Sequence, residues 1–268
     1  MRRLSRKRNI RYFAFVLPGF LGLLVFYVLP FVNVWADALL TTGRRFAGPV
    51  HFIRIFHNEA FIRAISNSVL LAFFGTFFSL PLALGYSLFV CIFSKNRQLF
   101  LLSCATLPAA IPPACTALLI QSWFPAYHEL GISGMILLLL WKYTGFSVIL
   151  LFSALQAIPR ETKEAAVLDG AGRLRLLIHI ILPYLAPAMI FSGLIAFMNS
   201  FRIFREVFML YGEHPTPQFY LLSHYINNKL LTMDYSSISA AAVSVVSVMI
   251  ILMLLLIHTE RRTGKDLE

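Results

Sequence analysis

The sequence predicts an all-helical integral membrane protein with six transmembrane helices, and both its composition and its apolar segments support this fold class. Of the 268 residues, 59% are hydrophobic and 13% are charged, whereas a soluble domain carries roughly 25% charged residues. The mean hydropathy is +0.76. A chain with so few charges cannot cover its own surface with polar groups, so we expect most of that surface to face lipid.

Six apolar segments are each long enough to cross the hydrocarbon core, which takes ~20 helical residues. The first segment contains Pro18 and Pro30, which favours a short interfacial helix before the crossing. Its apolar run is too long for a signal-peptide core, so we expect an uncleaved helix. We predict one membrane domain over residues 1–268. The expected spans are about 12–40, 66–93, 99–124, 132–158, 181–204 and 237–257.

The lysines and arginines predict the orientation, because they are enriched in cytoplasmic segments. If the N-terminus is cytoplasmic, fifteen of the 23 basic residues fall on the cytoplasmic side and seven on the outer side. The remaining one, Lys142, lies within the fourth span. We therefore expect both termini in the cytoplasm. The basic residues flank apolar runs, so the net charge of +11 indicates membrane orientation rather than a nucleic-acid partner.

Two outer connections are longer than the others. Residues 41–65 mix aromatic, aliphatic and basic side chains, which predicts a loop with a short amphipathic helix. Residues 211–236 contain Pro215 and Pro217 before an uninterrupted segment, which predicts a turn followed by a short helix outside the membrane.

The segment 159–182, between the fourth and fifth spans, is the longest polar interruption in the middle of the chain. Pro159 ends the fourth span because a proline cannot continue a helix interior. The residues Glu161–Leu168 predict a short helix with an acidic first turn, which the helix dipole favours. Residues 169–172 then break the helix, which resumes at Arg173.

A motif within this segment points to a family. Glu164, Ala165 and Ala166 are followed by three residues, then Gly170, nine further residues and Ile180–Pro183. This pattern resembles the EAA loop of bacterial ABC importer permeases in type and spacing at all its fixed positions. The resemblance implies an ABC type I importer permease fold, in which the loop is a cytoplasmic coupling helix that docks on an ATPase. The residues that it assigns to ATPase coupling are Glu164, Ala165, Ala166, Asp169 and Gly170.

Other segments resemble the carbohydrate permeases within that family, so the resemblance covers roughly residues 60–257. These segments are Leu107–Pro112, Trp141–Phe146, Leu155–Pro159 and Ser200–Phe204. The last is typical of the half related to the maltose-type larger permease. The chain departs from the family at Gly212–Pro215, where Gly-Gly-Pro is usual. By this resemblance, the substrate pathway includes Lys142, Tyr143, Phe146, Asn199, Ser200 and Arg202.

Each polar residue of this set also has a purely structural interpretation. Lys142 is costly in lipid, by ~2.5–3.5 kcal/mol on insertion scales, so it faces the pathway or a partner, or extends to the outer interface. Arg202 and Arg205 either meet the substrate or anchor the fifth span at lipid headgroups. Asn199 either contacts the substrate or joins two helices. If the three cations face the pathway, charge-assisted hydrogen bonds favour an acidic saccharide, such as a uronic-acid oligosaccharide.

The resemblance therefore implies a permease subunit of an ATP-driven, binding-protein-dependent importer that moves a carbohydrate across the bacterial cytoplasmic (inner) membrane. The implied partners are a second homologous permease, two ATPase subunits, an extracytoplasmic solute-binding protein, membrane lipid and the carbohydrate substrate. The sequence contains no G-x-x-x-x-G-K-[ST] pattern, so we expect ATP and Mg²⁺ on the ATPases and no cofactor on this chain. Its three cysteines form no C-x-x-C pair, and we predict neither a metal site nor enzymatic activity.

Three alternatives remain open from the sequence. An ion-gradient-driven secondary transporter would need buried carboxylates for coupling, and Asp37 is the one acidic residue within an expected span. An ABC permease for a non-sugar solute, such as a phosphodiester or an amino acid, would share the EAA loop. An integral membrane enzyme would need a catalytic constellation, and neither His-Glu-x-x-His nor Gly-x-Ser-x-Gly occurs.

Overall fold

A computed structural model describes residues 15–40 and 45–265 of the chain. Within these ranges the backbone is helical apart from the connections and one isolated bridge between Leu40 and Phe46. Two compact units are present: one contains the described residues up to Asn58 with Lys229–Met249, and the other contains Glu59–Asn228 with the residues after 249. A single membrane domain stays a prediction. The basic residues 2–11 and Arg44 of the orientation argument, and the beginning of the first span, lie outside the described residues.

The first unit contains the first apolar helix. Helix α1 spans Phe15–Leu39 and includes a π-helical turn at Leu24–Val28. Pro30 lies two residues after the end of this turn, and its ring would clash with the carbonyl group four residues earlier in a regular α-helix. A wider π-turn at this point accommodates the ring without ending the helix.

A short helix follows within residues 45–65, in the connection where the sequence predicts one. Helix α2 comprises Val50–Phe56. The buried ring of His51 donates a hydrogen bond from Nε2 to the carbonyl oxygen of Leu40 over 3.1 Å. This bond ties α2 to the end of α1.

The second unit is built around helix α6. In chain order its helices are α3 (Glu59–Val90), α4 (Lys95–Ala110), α5 (Pro113–Trp123), α6 (Gly131–Ala157), α7 (Arg160–Leu168), α8 (Arg173–Leu176), α9 (Leu182–Arg202), α10 (Phe204–Tyr211) and α11 (Leu222–Leu231). Helix α6 packs against α3, α4 and α9. Its buried positions combine small residues such as Gly134 and Ser147 with large ones such as Leu139 and Leu151. The small residues let neighbouring backbones approach, as in other membrane helices, while the leucines fill the remaining space.

The third predicted span, 99–124, is not a single helix, which corrects the prediction. Helix α4 ends at Ala110, and α5 begins at Pro113 with its axis bent by 95°. Between them, Ile111 and Pro112 have ψ values of 124° and 147°. Each precedes a proline, and a residue before proline is disfavoured in the α region. The two adjacent prolines therefore divide this span into two half-helices.

Gly145 allows α4 and α6 to meet at backbone contact. A β-carbon at this position would stand 2.9 Å from the Cα atom of Thr106, and nearer still to the carbonyl group of Ala105. Since side-chain carbons do not approach backbone atoms so closely, this crossing requires glycine.

The helices around the second, fourth and fifth spans are longer than predicted. They cover Glu59–Val90, Pro125–Ala157 and Arg173–Tyr211, the second of these beginning with a 3-10 turn. The spans were predicted from apolar residues, which indicate only the part of a helix that fits the hydrocarbon core. A helix can extend beyond that part at both ends. A π-helical turn at Leu177–Ile181 precedes Pro183, in the same relation to proline as the turn before Pro30.

Residues 211–236 contain a 3-10 turn at Pro217–Phe219 and then α11, which is the turn and short helix that the sequence predicts. The last helix, α12, covers Tyr235–Lys265 and is apolar over Tyr235–Ile251. In the described part of the chain, four helices are long and apolar enough to cross a membrane, and the bent pair α4–α5 would make a fifth. The all-helical class is thus confirmed, and the number of six spans stays a prediction.

Candidate functional site

The loop between α6 and α9 has the local structure that the sequence predicts. Helix α6 ends at Ala157, and Ile158 takes the extended conformation, with ψ 121°, that Pro159 favours in its predecessor. Helix α7 then begins with Glu161 in its first turn, where an acidic side chain stabilises the helix dipole. Lys163 donates a hydrogen bond to a carbonyl oxygen in the last turns of α6 over 3.1 Å. This bond fixes the beginning of α7 to the end of α6.

Gly170 ends α7 in a Schellman motif. Its φ of +80° lies in the left-handed region, which glycine enters without strain. The N–H of Gly170 donates to the carbonyl oxygen of Val167 over 3.0 Å, and the N–H of Ala171 donates to that of Ala166 over 2.9 Å. These two bonds define the motif. The predicted break at 169–172 is confirmed, and its geometry fixes the angle at which α8 leaves.

Four of the five residues assigned to ATPase coupling lie on the surface. Glu164, Ala165, Asp169 and Gly170 are exposed, whereas Ala166 is buried. The small side chain at Ala165 leaves room for close approach, and the two carboxylates offer charge to a basic partner. Their contact with an ATPase stays a prediction.

Exposed apolar side chains extend this loop surface. Val167, Leu168 and Leu174 are 58%, 87% and 70% exposed. Large apolar side chains that cluster on a polar segment are typical of protein interfaces. Sequence reasoning missed them, although three apolar residues within a polar loop were an available signal.

A second candidate site is a buried ion pair between α6 and α10. Lys142 and Glu206 are 2% and 0% exposed, and the Nζ atom of Lys142 donates to Oε1 of Glu206 over 2.6 Å. Lys142 also donates to the hydroxyl of Thr116 on α5 over 3.1 Å. One ammonium group therefore joins three helices. The alternative in which Lys142 extends to lipid headgroups is wrong, and its charge is already matched within the chain.

Sequence reasoning does not find Glu206. The fifth span is predicted to end at 204, which leaves Asp37 as the one acidic residue within a span. The helical segment continues to Tyr211 and buries Glu206, so a second acidic side chain belongs to the long apolar helices. The available signal was Lys142 itself, since an ionisable residue inside a span is almost always paired.

Tyr143 lies next to the ion pair in the sequence. It follows Lys142 on α6, is half-buried, and packs against the apolar cluster that includes Ile203 and Val207. Arg202 and Arg205 are exposed. A role of Tyr143 and Arg202 in the pathway stays a prediction.

The other predicted pathway residues have different surroundings. Phe146 is 46% exposed on α6, while Asn199 and Ser200 are buried on α9. The hydroxyl of Ser200 donates to the carbonyl oxygen of Phe197 over 2.6 Å, so its proton is used within the helix. A role of these three residues in the pathway stays a prediction.

An aromatic recess of about 510 Å³ lies between α5, the following 3-10 turn and α6. It shares Thr116 with the ion pair, and its wall includes Trp123, Tyr127 and Trp141. The hydroxyl of Thr116 already accepts a hydrogen bond from Lys142 and donates one to the carbonyl oxygen of Pro112, the residue before α5. The recess therefore offers mainly aromatic and aliphatic surface.

Helix α11 carries a buried histidine outside the membrane-spanning helices. His224 is 0% exposed, and its Nδ1 accepts a hydrogen bond from the backbone N–H of Leu221 over 3.2 Å. The rings of Phe204, Phe208 and Tyr220 pack around it. Burial lowers the pKa of His224 to about 4. The imidazole is therefore neutral near pH 7, with its hydrogen on Nε2.

Comparisons with known proteins agree with this architecture. The sequence model of the family described as "Binding-protein-dependent transport system inner membrane component" matches residues 83–265, more than half of the chain. The probable ABC transporter permease protein YurN of Bacillus subtilis (strain 168) is 23% identical, over 95% of this chain and 97% of its own length. The arabinooligosaccharides transport system permease protein AraP of the same organism is 25% identical, over 75% of this chain and 72% of its own.

A solved structure shows a similar chain. It belongs to a bacterial ABC transporter involved in the import of the acidic polysaccharide alginate. The two chains are 24% identical and superpose with a TM-score of 0.79, over 97% of this chain and 99% of the other. This likeness shows that they share a fold.

Proposed function

Because the chain belongs to the family of binding-protein-dependent transport system inner membrane components, we propose that it is the permease subunit of an ATP-driven importer for a carbohydrate. It is a multi-pass transport protein of the inner membrane and not an enzyme. Its fold is that of the ABC type I importer permeases, as the EAA loop predicts. Family membership also removes the alternatives of an ion-gradient-driven transporter and a membrane enzyme.

The exposed loop between α6 and α9 carries the proposal. Its helix α7 is fixed at one end by Lys163 and at the other by the Gly170 turn. Between these points it offers the carboxylate of Glu164 and the apolar side chain of Leu168 to a partner. Because the loop connects α6 directly to α9, a force applied to α7 would move both helices. A rigid, exposed connection of this kind suits coupling to an ATPase.

The remaining parts of the importer follow from this role. A second homologous permease would complete the pathway, and two ATPase subunits would bind ATP and Mg²⁺ and dock on the two loops. An extracytoplasmic solute-binding protein would deliver the substrate. Both termini would lie in the cytoplasm, on the side of the ATPases. Closure of the ATPase dimer would draw the coupling helices together and open the pathway outward, which is alternating access by rigid-body movement.

An acidic oligosaccharide suits the two exposed arginines at the end of α9 and the beginning of α10. Glu206 neutralises Lys142, whereas Arg202 and Arg205 are exposed. Hydrogen bonds from a guanidinium to a carboxylate are roughly twice as strong as neutral ones. AraP is named for arabinooligosaccharides, and the structurally similar importer transports an acidic polysaccharide. Both similarities support an oligosaccharide substrate, and the two arginines favour an acidic one.

A phosphate ester is the second candidate substrate. Arg202 and Arg205 would suit a phosphate as well as a carboxylate, because a guanidinium matches the geometry of both groups. The two candidates differ in size and in the number of hydroxyl groups, so a panel of ligands separates them.

The test begins with the importer isolated by a tag on this chain from the native host. Co-purification of an ATPase is the first expected result. In proteoliposomes, ATP hydrolysis should rise when the binding protein carries a uronic-acid tetrasaccharide, and less with a neutral glucose tetrasaccharide. Arg202→Gln should reduce this difference, whereas Arg54→Gln, an exposed arginine on α2, should not. Stimulation by glycerol phosphate alone would contradict the carbohydrate assignment, and isolation without an ATPase would contradict the importer.

A further inference from the structure

The turn between α11 and α12 has a methionine at a position where helix ends of its type usually have glycine. Met233 has a φ of +55° and is the one residue other than glycine with a positive φ in the part of the chain that the structure describes. Its side chain is 73% exposed. We infer that Met233 and its exposed apolar neighbours form an anchor that inserts into the headgroup region of the lipid bilayer at the beginning of α12. This inference uses the membrane location of the chain and does not depend on its substrate or on an ATPase.

The first step is that the geometry of this turn is fixed. The N–H of Met233 donates to the carbonyl oxygen of Leu230, and the N–H of Asp234 donates to that of Lys229, each over 3.0 Å. These two bonds define a Schellman motif. The carboxylate of Asp234 also holds the Nζ atom of Lys229 at 3.2 Å and accepts a hydrogen bond from the backbone N–H of Ser237, on α12, over 3.2 Å. The turn therefore joins the two helices in one defined conformation, with the side chain of Met233 on its surface.

The second step is that this conformation does not require methionine. The left-handed region is unfavourable for a residue with a β-carbon, and bulky side chains seldom adopt it. The same motif ends α7 with Gly170, which enters the region without strain. Every backbone bond of the turn would form equally well with glycine at position 233. A strained residue that the fold does not need indicates that its side chain has a role outside the fold.

The third step is the apolar surface around Met233. Leu230, Leu231 and Tyr235 are 52%, 59% and 56% exposed, and each lies within three residues of Met233 in the sequence. Several large apolar side chains exposed on one short segment mark a site of interaction with a protein or a membrane. The two charges of the ion pair in this turn cancel one another, so little net charge opposes the transfer of the turn to a bilayer surface.

The position of the turn identifies lipid as the occupant. Helix α12 is apolar from Tyr235 onward, and the expected span 237–257 begins four residues after Met233. At a rise of 1.5 Å per residue, Met233 lies roughly 6 Å from the hydrocarbon core. The headgroup layer is about 5–8 Å thick on each side of that core. Apolar side chains of interfacial segments insert at this depth, and tyrosine is enriched there. The apolar surface of the turn is therefore continuous with a helix that we expect to cross the bilayer.

A photoreactive side chain at position 233 tests the occupant directly, because its benzophenone group forms a covalent bond with whatever covers it. Met233→p-benzoylphenylalanine is irradiated in intact cells of the native host, where all natural partners are present. The same variant, isolated by a tag on this chain with its accompanying subunits, is irradiated in vesicles of phosphatidylethanolamine and phosphatidylglycerol in equal parts. In both settings, mass spectrometry should show this chain with its mass increased by that of one phospholipid.

Two positions provide controls for the photoreactive group. Val248, which is 51% exposed in the apolar part of α12, should give lipid adducts. Glu161, which is exposed in the polar loop after α6, should give none. A further comparison places the group at Leu231 and changes Met233. The yield of lipid adduct at Leu231 should fall in Met233→Gly, which keeps the turn and removes the anchoring side chain, and it should be retained in Met233→Leu.

Adducts between position 233 and a solute-binding protein or a second permease would overturn the inference, because they would make the turn a protein interface. The absence of any adduct at position 233, with normal lipid adducts at Val248, would place the turn in water and overturn it as well. An unchanged yield at Leu231 in Met233→Gly would remove Met233 from the anchor. If the variant with the photoreactive group at position 233 fails to assemble, the group at Leu231 decides between lipid and protein instead.

Discussion

The ammonium of Lys142 and the carboxylate of Glu206 form an ion pair of 2.6 Å in which both side chains are shielded from solvent. Each charge loses its hydration on burial, and the attraction between the two compensates for this loss only while both are present. The pair is therefore sensitive to the loss of either member and tolerant of the loss of both.

Lys142→Met alone should destabilise the protein by about 3–5 kcal/mol, because it leaves the carboxylate of Glu206 buried without a counter-charge. The double variant Lys142→Met with Glu206→Leu should recover most of this loss. Thermal unfolding of the detergent-solubilised importer measures both effects. A single variant as stable as the wild type would show that the pair does not form in the membrane.

Gly145→Ala should destabilise the crossing of α4 and α6. The added β-carbon would overlap the carbonyl group of Ala105 and approach the Cα atom of Thr106 to 2.9 Å. Overpacking of this kind typically costs about 1–3 kcal/mol, and backbone atoms cannot move aside as a flexible side chain can. Reduced yield and a lower melting temperature are the measurements.

Gly193→Ala on α9 is the control for that substitution. Its β-carbon would meet only side-chain atoms, at 3.6 and 3.8 Å, which is ordinary contact. Alanine should be tolerated there, and its better helix propensity can add up to about 1 kcal/mol. If Gly145→Ala and Gly193→Ala lower the melting temperature equally, the close approach at Gly145 is not the cause of the destabilisation.

Gly170→Ala should weaken coupling without unfolding the membrane helices. The φ of +80° at Gly170 costs an alanine about 1–2 kcal/mol, so the turn after α7 should relax and change the angle between α7 and α8. We expect less co-purified ATPase and slower uptake. Gly172→Ala, at a position with φ −66° and ψ 164°, should behave as the wild type; a matching loss there would indicate that the loop tolerates no side chain at all.

The sequence predicts the coupling loop well because its signals are local. Pro159 and Gly170 act on neighbouring backbone through their own ring or lack of a side chain, so the beginning and end of α7 follow from a few residues. The bend at Pro112 has the same local origin. Its consequence, a span divided into half-helices at 95°, was missed because hydropathy counts apolar residues and does not register backbone direction.

The ion pair could not be predicted in the same way because it joins residues 64 positions apart. Lys142 predicts that some partner exists, yet nothing near it in the sequence identifies Glu206. The contact depends on the packing of α10 against α5, whose Thr116 also bonds Lys142. Long-range pairing of this kind requires the fold, whereas turns and caps do not.

Acidification should destabilise the protein through His224, and the direction follows from its lowered pKa. Burial lowers the pKa of His224 to about 4, against roughly 6.5 in the unfolded chain. Between these values the unfolded state binds a proton that the folded state does not, so stability falls as pH decreases from about 6.5 to about 4, by up to about 3 kcal/mol.

The melting temperature of the importer should be lower at pH 5 than at pH 7.5, and His224→Asn should reduce this difference. His128→Gln, an exposed histidine before α6, should leave the drop unchanged. If His224→Asn retains the full pH dependence, the imidazole is not kept neutral by burial, and the aromatic cluster of Phe204, Phe208 and Tyr220 does not exclude water from it.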